Sequence, residues 1–172
     1  MAAVQAMLSG DDEPSRVLAE ESFARMSREQ PALARYLLDR LQRPLDPAAL
    51  ALGHMLSVAV FLAFETGSSR RLRVLSEDAV SAAEAAFAAD EELRRSDPMD
   101  ALDSEDIVAI EQPALVSFVN EHIGQTLDEH AGSVDVDHVA AVFRVILIEI
   151  LALSHAVQPP PGHSTVRGEP MA

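Results

Sequence analysis

Cysteine is missing from this chain, and so are lysine and tryptophan. Without a thiol there can be no disulfide framework and no thiolate metal or redox centre, which fits a cytoplasmic setting. The missing lysine leaves all 13 basic side chains as Arg, set against 28 Asp and Glu for a net charge of -15. Arginine without lysine, alongside abundant Ala, matches the codon usage of a GC-rich bacterial genome, and a salt-adapted proteome gives a related pattern. Duplex nucleic acid and anionic membranes both demand a basic patch, so neither is an expected partner. Residues Met1 to Gly10 carry no basic start, and no secretory signal is expected.

Aromatics are scarce at 4%, while hydrophobic residues make up 48% of the 172. A core of Leu, Val, Ile and Ala suits helices packed side by side, so the expected fold class is all-α, a single-domain bundle of about six helices. Glycine occurs only seven times. No nucleophile elbow, phosphate-cradling loop or dinucleotide fingerprint is present, which leaves no catalytic residue and no cofactor to name.

What the chain does contain is a pentapeptide used twice. Glu29-Gln30-Pro31-Ala32-Leu33 returns as Glu111-Gln112-Pro113-Ala114-Leu115. At the same offset Leu33, Tyr36, Leu37 and Leu41 match Leu115, Phe118, Val119 and Ile123, one apolar stripe written twice. Aligning Asp46 with Asp135 places Leu50, Val58, Phe61 and Leu62 opposite Val139, Leu147, Ile150 and Leu151. The pattern reads as a duplicated helical hairpin, units about 29–65 and 111–154, with seven extra residues of the second unit expected in the loop around Gly132.

In chain order, 1–13 reads as a loose arm, 14–157 as the helical domain and the Pro-rich 158–172 as a disordered tail. Ser27 and Gln30 have capping-box spacing, and Glu and Gln of the repeat are expected to cap free N–H groups. Asp46-Pro47 is the best helix start, an N-cap acid followed by proline at the first helical position. The helix it opens has no Asp, Glu or Arg from Pro47 to Phe64. With the last helix, from about Asp135 to Val157, it should form the centre of the bundle. That uncharged run also meets the lower length limit of a membrane span, but its repeat partner holds Arg144 and Glu149, which favours a buried core helix.

Residues 96–143 hold eleven acidic side chains, no basic one, and the histidines His122, His130 and His138. Their spacing lacks the Glu-x-x-His pairs of di-metal bundles and the glycine and distal glutamate of a calcium loop, so no metal site is assigned. The candidates for a polar functional site are Glu149, Arg144, His54, His122 and His138. The plain reading has Arg144 snorkelling to an edge and Glu149 at the rim; the sharper one has Glu149 buried with a raised pKa or a partner from another helix. The expected function is a non-enzymatic interaction or regulatory module whose partner is a basic protein or a second copy of itself. A metal-dependent or acid–base enzyme using Glu149 with a histidine is the alternative, and a membrane-associated helical protein the third.

Overall fold

The computed structural model describes residues 13–67, 72–96, 108 and 111–157, with side chains from residue 17 onward. The expected arm, most of the acidic connector and the Pro-rich tail lie outside the described residues. Six helices and no strand occur among the described residues: α1 (Glu13–Glu29), α2 (Pro31–Leu41), α3 (Pro47–Gly67), α4 (Glu77–Ser96), α5 (Pro113–Glu129) and α6 (Val136–Val157). The protein is an all-α helical bundle, as the composition requires.

Prolines and caps set the helix starts. Pro31 and Pro113 each sit in the first turn, where a missing N–H leaves no bond unmade. Asp46 caps α3 by accepting from the Ala49 N–H at 2.9 Å, and Ser76 caps α4 by accepting from the Ala79 N–H at 3.1 Å. The same Asp46 reaches across to the start of α6, accepting from the Asp135 N–H at 3.3 Å. The Asp46 N–H in turn donates to His138 Nδ1 at 3.1 Å. A backbone N–H can only donate, so Nδ1 is the acceptor and the ring proton sits on Nε2. The Ala49 N–H leads in holding the Asp46 carboxyl below its ordinary range, with the Asp135 N–H adding to it.

These cross-bonds put the N-termini of α3 and α6 together, and the two helices run parallel through the core. Gly53 of α3 marks the close approach: a Cβ there would lie 2.8 Å from Leu41 Cδ2 and 3.3 Å from Val142 Cγ1 of α6. Farther along, the Arg73 N–H donates to Ala156 O at the end of α6. Most of both helices is buried, including Leu56, Val60 and Phe61 on α3 and Ile146, Ile150 and Leu153 on α6. Each is long and apolar enough to cross a membrane, and 61% and 72% of their apolar windows are buried inside the bundle. Around this pair, α1 packs on α2 and α3, α2 on α3, α4 and α6, α4 on α6, and α5 on α3 and α6.

Two expectations are corrected here. The seven extra residues of the second unit do not form a longer loop: α5 has 17 residues against 11 in α2, so most of them extend the helix. Gly132, at φ 84°, only turns the chain after it, in the left-handed region glycine enters without strain. Nor do the repeated glutamines cap their helices, since neither Gln30 nor Gln112 makes a side-chain cap bond. The Ser27 hydroxyl instead donates back to Phe23 O at 2.9 Å, because α1 runs on through Ser27 and leaves that hydroxyl inside a helix.

Candidate functional site

The five candidate side chains do not meet. His138 belongs to the junction of α3 and α6. His122 stacks on Phe118 within α5, ring centroids 4.3 Å apart, and its Nδ1–H donates to Phe118 O at 2.9 Å. His54 is exposed on α3 with its edge toward Phe23, and burial of that flank lowers its pKa. Among the described residues no three His, Asp or Glu side chains are grouped to hold a metal ion.

Arg144 does reach the surface, pairing with Glu91 at 2.5 Å over the ring of Phe87. Glu149 is not at the rim. It is fully buried on α6, and neither carboxylate oxygen has a hydrogen-bond partner. Burial alone drives its pKa well above the ordinary carboxyl value, so the group is held as the neutral acid. Seven residues after Val142, it returns to the stripe of α6 that faces α3. It lines neither the cleft beside Arg144 nor the groove at the start of α5, and its oxygens bond to no described histidine.

Arg144 borders a cleft of about 110 Å³ in which Tyr36, Arg40, Arg43, Glu84 and Arg144 stand round an apolar floor. Two of its three guanidinium groups are already matched, Arg40 to Glu84 at 2.6 Å and Arg144 to Glu91. Desolvation, reinforced by Glu84 and opposed by Arg40, pushes the Tyr36 phenol up to about 12. The cleft is therefore a seam between α2, α4 and α6 in which two of the three cations are neutralised.

α5 is covered differently from α2. α2 buries Leu33, Ala34, Leu37 and Leu41, whereas α5, though longer, fully buries only Val119. Leu115, Val116, Phe118, Ile123 and Leu127 of α5 are only partly covered. The reason is that α4 packs on α2, and no described helix packs on the outer side of α5 in the same way. Glu121, Asp128 and Glu129 are exposed on α5 itself, as are Glu111 before it and Asp135 and Asp137 after it, with no arginine between residues 96 and 143 to offset them.

At the start of α5 lies a groove of about 240 Å³ lined by Ala63, Phe64, Gly67, Gln112, Leu115 and Val157. Beside it the Ser154 hydroxyl donates to Glu111 Oε2 at 2.5 Å, and His155 Nε2 stands 3.9 Å from Glu111 Oε1. Sequence reasoning passed over Gln112 and its counterpart Gln30. Their signal was the repeat itself, whose Glu-Gln looked like capping material because it precedes a proline at a helix start.

The chain matches no protein-family model, no curated protein and no solved structure.

Proposed function

We propose that the protein is a non-enzymatic interaction module that docks a basic protein segment along α5, at the edge where its apolar stripe is only partly covered by the core. The observation that carries this reading is the coincidence, on one helix, of a half-covered apolar stripe and exposed carboxylates with no cation among them. An apolar strip gives a partner surface to bury, and a rim of one sign selects the partner's charge and speeds encounter.

The test uses a labelled amphipathic peptide with Leu on one face and Arg on the other, titrated by fluorescence anisotropy. It should bind at low ionic strength and weaken steeply as salt is added. Reversing Glu121, Asp128 and Glu129 together to Arg should abolish binding, while reversing Glu77 and Glu92 on α4 should leave it. Equal binding by both triple and double variants, or no binding at low salt by a protein that is also strictly monomeric, rejects the proposal.

A further inference from the structure

The two Glu-Gln-Pro copies share a backbone geometry and differ in what their glutamines hold. Gln30 and Gln112 have φ, ψ of -132°, 62° and -138°, 59°. Each donates its own N–H to the carbonyl four residues back, Met26 and Val108, at 2.7 and 2.8 Å. Their side chains therefore leave equivalent backbones in equivalent directions.

Gln30 uses its amide on an extended piece of chain, residues 72–76. Its Nε2 donates to Arg73 O and its Oε1 accepts from the Leu75 N–H, both at 2.9 Å. That pair reads a backbone, not a side chain. The same segment is held at its other edge by the C-terminus of α6: the Arg73 N–H donates to Ala156 O, and Arg73 Nη2 donates to His155 O at 3.1 Å. Leu75 is then buried in the core, and Gln30 is 1% exposed.

Gln112 makes no such pair of bonds to a described residue, and it lines the groove beside Leu115 and Val157. The register that superposes Asp46 on Asp135 carries Ala156 onto Gly67 and His155 onto Thr66, at the C-terminus of α3. Gly67 is a wall of this groove. Leu33 is 0% exposed where its copy of the repeat is covered, and its counterpart Leu115 is only partly covered. The second unit thus presents an amide, a helix C-terminus and an apolar wall in the arrangement that, in the first unit, grips an extended segment.

We infer that the groove at Gln112 binds an extended segment of a basic partner protein, its backbone paired to the Gln112 amide as Leu72–Ser76 is paired to Gln30. The inference rests on the reading of α5 as the docking face and names how the partner's chain is held there. Charge selects the partner. Two helices, α3 at Gly67 and α6 at Val157, end at the groove and bring the negative ends of their dipoles to it; Arg73 already takes the His155 and Ala156 carbonyls of α6, so the carbonyls offered are those at the end of α3. Glu111 adds an exposed carboxylate beside them. An arginine two residues before a leucine, the Arg73-Val74-Leu75 pattern, satisfies all three elements: guanidinium to helix carbonyls, backbone to the amide, leucine to the apolar wall.

The free probe is a labelled peptide of residues 69–77 of this chain, titrated against the full-length protein. The Gln30 site is filled intramolecularly at high effective concentration, so the peptide competes poorly there. Saturable binding is expected, weaker by about tenfold or more for Gln112→Ala with melting unchanged, since two backbone hydrogen bonds are lost. Peptides carrying Arg73→Ala or Leu75→Ala should also bind more weakly. Because the chain has no other thiol, a photo-crosslinker on Gly67→Cys, at the groove wall with Gln112 left intact, should label the peptide. Binding indifferent to Gln112→Ala overturns the groove while leaving the α5 face to the amphipathic-peptide titration, and no saturable binding overturns it likewise. Crosslinking to the protein's own residues 158–172 in the presence of peptide also overturns it, by assigning the groove to the chain itself.

Discussion

A carboxyl with no partner in a bundle core shows itself in the pH dependence of stability. Below about pH 4.5, the ordinary value for Glu, Glu149 is protonated in both folded and unfolded chains and its burial carries no protonation cost. Above that value the unfolded chain releases the proton and the folded chain keeps it. Stability then falls by about 1.4 kcal/mol per pH unit until the folded carboxyl itself ionises. Across the interface α3 offers no compensating charge, because Pro47 to Phe64 lacks Asp, Glu and Arg, and His54 is exposed. Glu149→Gln should therefore leave melting at pH 4 nearly unchanged and raise it at pH 7, flattening the slope between. Parallel melting curves for both proteins over that range would show that Glu149 finds a partner in solution. The two repeated glutamines supply a matched pair at the same scale. Gln30→Ala strands the buried Leu75 N–H and should cost about 2–3 kcal/mol in urea denaturation, whereas Gln112→Ala should fall within about 0.5 kcal/mol of wild type. Equal losses would mean that the two amides do equivalent work.

At the scale of helices, the parallel pair α3 and α6 governs the bundle. Val58 and Leu147 are each 3% exposed, one on each member. Val58→Arg and Leu147→Arg each force an unpaired charge into packed aliphatic surroundings and should each lose about 3–5 kcal/mol, read by chemical denaturation. Wild-type-like stability of either would remove that helix from the centre. Gly53 is the contact point between α2, α3 and α6. Gly53→Val adds a branched side chain against Leu41 and Val142 and should cost about 2–3 kcal/mol, the gain in helix propensity over Gly offsetting under one. The helices α2 and α5, which follow the two copies of the pentapeptide, also differ in length, 11 residues against 17. The extra length of α5 carries Asp128 and Glu129 past the turn at which α2 ends, extending the acidic face that no other described helix covers.

For the whole molecule, a net charge of -15 makes association strongly dependent on salt and on the partner's sign. Sedimentation at low and high ionic strength should show self-association, if any, strengthening with salt as like-charge repulsion is screened. Docking of a basic segment should weaken under the same change, and the opposite signs separate a second copy from a basic partner on α5. The all-α class, the cap at Asp46, the span of α6 and the burial of α3 and α6 were legible from composition and local pattern. Each follows from local rules: proline fixes a first turn, a short polar side chain takes a free N–H, and an uncharged 18-residue run has to be covered. What only the tertiary structure decided lies wherever the neighbour is distant in sequence. Glu149 could be placed on an apolar stripe from the sequence, but whether the stripe met solvent or α3 depended on the parallel pairing of two helices 89 residues apart at their caps. Gln30 and Gln112 are identical to local reasoning. One is buried on an extended segment 43 to 45 residues away and the other lines an open groove, because a partner for a backbone-reading amide is supplied by the fold and not by the residues beside it.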